Sequence, residues 1–304
     1  EFILSKGKKP IAAIGKFPHE TKPLKKNNNK FFYDNVMVEI QIKQAKSKKD
    51  FIENIKTAIY DLVVLSKPYS ISNFSSITFP DSELTNSESR VIGCNVDYCA
   101  YELKAISQPK NIIKHTGFRT AGGHIHLGSK LLHENPYDFI HAVKMLDLFL
   151  CIPSLLIDQT NGAKKRRIIY GKAGSHRATD YGLEYRPLSN FWLFSPSLCS
   201  WVYDICEFVI NFIQSKKHLL FWKIDEKKLS SNNPKKAYKC IGYDVEKLRK
   251  TINNSNLEDA HHFLRIIKEH LPSSLYNEIF KFKKYKFNII TKYTYAVIGC
   301  DVYF

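Results

Sequence analysis

Two pieces of one stretch decide the reading of this chain: Phe118-Arg-Thr-Ala-Gly-Gly-His-Ile-His-Leu-Gly128 and Arg166-Arg-Ile-Ile-Tyr-Gly-Lys-Ala-Gly-Ser-His-Arg-Ala-Thr-Asp-Tyr-Gly-Leu-Glu-Tyr-Arg186. In the first, His124 and His126 alternate with Ile125, so a strand here projects both imidazoles from one face and Ile125 from the other. Gly122, Gly123 and Gly128 flank that strand and are expected to let backbone approach a ligand closely. In the second, Glu184 and Arg186 share a face, with Leu183 and Tyr185 on the opposite one. Taken singly, a His-x-His is more often a pair of surface or core histidines, and a Glu-x-Arg an ordinary exposed strand pair. Together, imidazoles and a carboxylate facing a row of arginines suit a divalent metal and an anionic substrate bound side by side.

Composition bounds the rest. The 304 residues can bury a full core, and Lys+Arg exceed Asp+Glu by 46 to 29, a net charge of +17. That surplus favours anionic partners such as nucleic acid, a nucleotide or an acidic polymer without choosing among them. The seven cysteines are odd in number and contain no CxxC, so neither a zinc site nor a disulfide framework is expected, and a reducing cytoplasm follows. No apolar run has the length of a membrane span, and no signal peptide is visible, so no membrane association is expected.

Taken in order, the chain opens on the apolar strand Glu1-Phe-Ile-Leu4, continues with a short strand over Pro10 to Gly15, and passes through the loop His19 to Leu24 and a basic polar loop, Lys25 to Lys30. Asp34 to Ile42 reads as one strand, with Val36, Val38, Ile40 and Ile42 on one face and Met37, Glu39 and Gln41 on the other. Glu39 in mid-strand is costly to bury unless something cationic meets it. Ser47 caps a helix with an apolar stripe from Phe51 to Val63, and Asn135-Pro136 starts a second helix that returns the chain so that the two central motifs lie side by side. The basic run Lys164 to Arg167 leads into small residues at 171, 173, 174 and 175, expected to permit close backbone approach, and Arg177 is placed to grip a phosphate or carboxylate with a bidentate fork. A third long helix follows Ser195-Pro196, and another pattern runs from Asn256 to Leu271. The expected division is a catalytic domain over 1–215 and a basic, mainly helical extension over 216–304 that packs on it.

The segments GGHIHLG (122–128), YGKAGSHR (170–177) and YGLEYRPLSNFW (181–192) resemble the phage-type COOH-NH2 ligases of type 2, amidoligases with a catalytic domain similar to that of glutamine synthetase. The resemblance implies an α+β fold, an antiparallel sheet forming a cup with helices behind it. It implies ATP-dependent formation of an amide or peptide-type bond through an acyl phosphate. It places Mg²⁺ on Glu1, Glu39, His124 and Glu184, assigns Arg119, Arg177 and Arg186 to the charge on the transferred phosphoryl group, and brings Lys22, Lys172, His126 and Arg177 to the nucleotide. Glu1 falls on the glutamate that opens the family's first strand, while the residues that precede it there are not in this chain, so processing or a start inside a longer protein is expected. Asn95 and Val96 replace the first acid and the proline of a family Gly-Cys-Asp-Pro-Asp segment at 93–97. Asp97 is retained, either to orient an ammonium group or metal-bound water, or as a plain turn residue.

The partners expected are ATP and amine and carboxylate substrates, with protein or cell-wall peptide among the candidates. Nucleic acid enters through net charge alone, self-association is left open, and the compartment is the cytoplasm of a bacterial host. Two rivals stand beside this reading: a nucleic-acid-binding or virion structural protein that keeps the ligase fold without catalysis, and a metal-dependent phosphotransferase or hydrolase using the same cup. The ligase picture requires Glu39, His124 and Glu184 to converge on one cation, with guanidinium groups lining the opposite wall.

Overall fold

Turn residues interrupt this chain every few positions, and the strands between them are accordingly short. The structure is a computed structural model, described for residues 1–90, 96–106, 117–228 and 234–284; Gly93 to Asn95 and the stretch beyond 284 lie outside the described residues. Strands and helices mix in an α+β arrangement, and every named strand pairing is antiparallel.

The largest sheet has the order β11 (Ile125–Gly128), β13 (Gly182–Tyr185), β12 (Ser175–Thr179), β8 (Tyr98–Cys99) and β9 (Lys104–Ala105). A second sheet joins β2 (Lys9–Ile11), β1 (Ile3–Lys6) and β6 (Ser70–Ser72). A third joins β3 (Leu24–Lys26), β4 (Asn29–Asp34) and β5 (Met37–Gln41). The stretch expected as one strand from Asp34 to Ile42 therefore holds β5 over Met37–Gln41, with a hairpin corner at its start. Asn35 takes a left-handed φ of 55° between β4 and β5, a conformation that asparagine tolerates better than most residues. The corner pairs Asp34 with Met37 and Phe32 with Glu39, so Asp34 and Glu39 lie on the same face of the hairpin.

The helices begin where the sequence signals them. Ser47 Oγ accepts from Asp50 N at 3.1 Å at the start of helix Lys48–Ser66, and Ile55, Ala58, Ile59 and Leu62 form its buried side. Asn135 caps the second helix through the amides of Tyr137 and Asp138. That helix, Pro136–Ile157, is the centre of the core: Ala142, Val143, Leu146, Leu148, Phe149 and Leu150 are fully buried. It has the length and hydropathy of a membrane span, but the fold encloses it, as it would the core helix of a globular domain. A π turn over Asp147–Cys151 interrupts it. The main core includes Trp201 and Val209 of helix Pro196–Gln214, and also Leu248, Ile252, Phe263 and Ile279 of the last three helices, so packing is continuous across position 215.

Candidate active site

Strand β13 carries the chemistry because it has a partner on each side. Its register sets Glu184 opposite His126 of β11 and opposite Arg177 of β12, so the three side chains form a row across one face of the sheet. One step along, Arg186 lies beside His124, its Nη1 3.0 Å from the ring Nδ1. Ile125, Tyr185 and His176 occupy the opposite face, where His176 meets Phe139 of the core helix. The period-two alternation thus brings His124, His126, Arg177, Glu184 and Arg186 together.

Within this group charge is largely balanced from inside. Buried Asp97 stands 2.8 Å from Arg186 Nε and 3.2 Å from Arg177 Nη2, and its other oxygen accepts from Ser175 Oγ at 3.0 Å. Glu184 pairs with Arg186, approaches Arg177 at 3.9 Å and lies 3.3 Å from His124 Nδ1. Burial works to raise the Glu184 carboxyl, yet the contact with His124 and the charge of Arg186 outweigh it and hold the group down at about 2. Burial, followed by the charge of Arg186, brings His124 down to about 4, so its imidazole is neutral at pH 7. His126, by contrast, is exposed, with Nδ1 2.5 Å from the Tyr181 hydroxyl. The arginines do not form a separate wall facing the acids. They are interleaved with them, because a buried guanidinium requires a counter-charge at contact distance.

A second group has the opposite character. The antiparallel bridge between Phe2 and Val38 sets Glu1 opposite Glu39, and the hairpin corner adds Asp34. Carboxylate oxygens of Glu1, Asp34 and Glu39, all half-buried, lie within 4.8 Å of one another, the one such group of three or more potential metal ligands among the described residues. Burial and the neighbouring Glu1 push Glu39 up to about 7. Burial, Glu1 and Glu20 push Asp34 up to about 6. Glu1 itself stays below the ordinary range: burial opposes ionisation, while His124, the Gly122 amide and Arg186 act to favour it. Gly122 N–H donates to Glu1 Oε2 at 2.6 Å, so this residue joins the acidic trio to the His124 strand.

The residues expected around one cation fall into these two groups, which Glu1 joins through Gly122. Glu1 and Glu39 belong to the acidic trio, whereas His124 and Glu184 belong to the arginine network. Arg119 is buried and donates to Asn35 Oδ1 at 3.0 Å, Phe118 O at 2.9 Å and Ser89 O at 2.6 Å, so it holds the corner that presents Asp34. Lys22 is exposed on the loop after His19, and Lys172 is half-buried, with burial and then the charge of Arg167 lowering its pKa. In the run Lys164 to Arg167 the two lysines are exposed and the two arginines buried, Arg166 donating to Pro187 O and Arg186 O.

Two of the glycines, Gly123 and Gly174, are packed closely against the protein itself. A Cβ at Gly123 would stand 2.6 Å from Trp192 Nε1, and one at Gly174 would stand 2.7 Å from the Tyr101 ring, so the close approach they permit is to the protein itself. The amides of Ala173 and Gly174 are likewise spent internally, on Asn253 Oδ1 at 2.8 Å and Asp147 Oδ2 at 2.6 Å. Sequence reasoning missed Asp34 and Asp147. The Asp34-Asn35 pair was the signal for a turn, and Asp147 is an acid in an otherwise apolar helix, where burial demands partners.

A site of this kind, with acids, imidazoles and arginines gathered on a small antiparallel sheet, belongs with enzymes that handle charged substrates. Residues 102–272 match the family model of phage phiEco32-like COOH.NH2 ligase-type 2, more than half of the chain. The chain belongs to this ligase family. The match spans His124, Asp147, Arg177, Glu184 and Arg186, crosses position 215, and begins after the acidic trio and Asp97. No curated protein and no solved structure matches the chain.

Proposed function

We propose that the protein is an ATP- and Mg²⁺-dependent carboxylate-amine ligase that forms an amide or peptide-type bond through an acyl phosphate. In this reading ATP transfers its γ-phosphoryl group to a substrate carboxylate, and an amine then attacks the acyl carbon and releases phosphate. Membership of the family supports the bond formed. The observation that carries the cofactor is the trio Glu1, Asp34 and Glu39: three carboxylates within 4.8 Å, two of them raised to about 6 and about 7, form a site short of positive charge.

Hard oxygen donors of this kind fit Mg²⁺, which when bound would neutralise charge on the phosphate oxygens. Arg177 is the guanidinium best placed for a substrate anion, because it is half-buried on the sheet face, whereas Arg186 is buried between Asp97 and Glu184. Lys172 and exposed His126 flank the same strands and are assigned to the nucleotide or the substrate carboxylate; Lys22 would join only from its loop. The fold that accompanies this reading is a glutamine synthetase-like cup, with the five-stranded sheet as its floor.

The test is ATP turnover with Mg²⁺ and a panel of amino acids and short peptides. Glu39→Gln is the informative variant: it should reduce turnover to the blank while leaving the protein folded. Glu184→Ala is a poorer choice, since it strips buried Arg186 of a partner. Wild-type protein that turns over no ATP with any amine, yet binds nucleic acid with a steep salt dependence, would sink the ligase reading.

A further inference from the structure

We propose that Asp147, in the π turn of the core helix, is a positioning residue that holds strands β12 and β13 at the height at which Arg177, Glu184 and Arg186 form the site. The inference rests on the preceding reading of that face. Asp147 is fully buried, and its two oxygens reach the two strands separately: Oδ2 accepts from the Gly174 amide at 2.6 Å, and Oδ1 accepts from the Tyr185 hydroxyl at 2.7 Å. Gly174 stands immediately before β12, and Tyr185 lies between Glu184 and Arg186 on the opposite face of β13. One carboxylate therefore ties together the backbone that leads to Arg177 and the side chain that alternates with the two charged residues of β13.

The geometry around Gly174 makes the tie directional. Gly174 has a φ of +76°, its carbonyl accepts from Ala100 N at 2.9 Å, and a Cβ there would collide with Tyr101, so the segment has no second way to seat. Ala100 follows β8, whose other flank leads from Asp97, the shared partner of Arg177 and Arg186. A shift of Gly174 away from Asp147 would move both ends of those ion pairs. π turns widen a helix by one residue, which here turns an acid inward within an apolar run. Nothing in the apolar packing of the helix calls for a carboxylate at that point; its partners are the Gly174 amide, the Tyr185 hydroxyl and the nearby Tyr101 hydroxyl.

Arginine-selective ¹⁵N labelling of the full chain reads this directly, through hydrogen exchange of the Nε–H of Arg186, whose Nε lies 2.8 Å from Asp97 Oδ1. In Asp147→Asn, whose amide cannot accept from both donors, exchange should quicken about tenfold. Val209→Ala, a core truncation in helix Pro196–Gln214, should leave it unchanged at an equal loss of thermal midpoint. Tyr185→Phe removes one of the two hydrogen bonds while keeping the ring; it should move exchange in the same direction and serves if Asp147→Asn does not fold. In turnover, Asp147→Asn should lower kcat about tenfold with the KM for ATP within about twofold. Unchanged Arg186 exchange in folded Asp147→Asn or Tyr185→Phe, or equal quickening in Val209→Ala, overturns the proposal. If the wild type turns over no ATP, the ligase reading fails, and the exchange measurement still decides the role of Asp147.

Discussion

The acidic trio and the arginine network touch through Gly122 and are built on opposite principles. Around Asp97, two acids are matched by Arg177 and Arg186 at contact distance, so the charges are neutralised before any ligand arrives. Around Glu39, three carboxylates approach one another, and burial leaves two of them raised. The first arrangement is stable as it stands and serves to orient. The second lowers its own repulsion by taking up a proton, and a cation would do the same. Proximity of charged residues is thus a poor guide to function without the sign of what surrounds them.

The sharpest way to break this contrast is to remove an acid from each group. Asp97→Ala would leave two guanidinium groups short of their shared partner and should cost about 3–5 kcal/mol of stability, read from urea denaturation. pH provides the next largest effect. Asp34 and Glu39 are raised in the folded state, so with chelator present their contribution is full below the unfolded carboxylate range and is lost as pH rises through about 6 and about 7. Glu184 is depressed, so its contribution is present above that range and is lost as pH falls toward about 2. Unfolding midpoints measured across pH 3 to 8 on wild type, Glu39→Gln and Glu184→Gln should separate the two slopes, which have opposite signs. The smallest effect sharpens the comparison: in chelator at pH 7, Asp34→Asn should raise stability by about 1 kcal/mol while abolishing any gain from added Mg²⁺. Equal destabilisation by Asp34→Asn and Asp97→Ala would erase the distinction.

Much of the site's floor was legible from strand periodicity. His124-Ile-His126 and Glu184-Tyr-Arg186 needed only a two-residue repeat to share a face, and the register of β11 with β13 then made them neighbours. The helix starts at Ser47 and Asn135 were equally plain, because capping is a local bargain between one side chain and the next few amides. For Arg119 the sequence shows a cation and not the carbonyls of Phe118 and Ser89 to which it donates. Gly123 and Gly174 show a related limit. Absence of a Cβ says that something comes close, and only packing says whether that is a ligand or Tyr101.

By itself, the sequence determined the alternating faces, the caps, the buried apolar helix and the family. These depend on spacing along the backbone, which is the same in every protein. Tertiary structure alone decided that Asp34 joins Glu1 and Glu39, that Asp97 serves two arginines, and that Asp147 reaches Gly174 and Tyr185. Apart from Asp34 with Glu39, which share one hairpin, those contacts join residues far apart in the sequence, beyond the reach of local backbone rules. In each, the energy of a buried charge depends on which distant group the fold delivers to it.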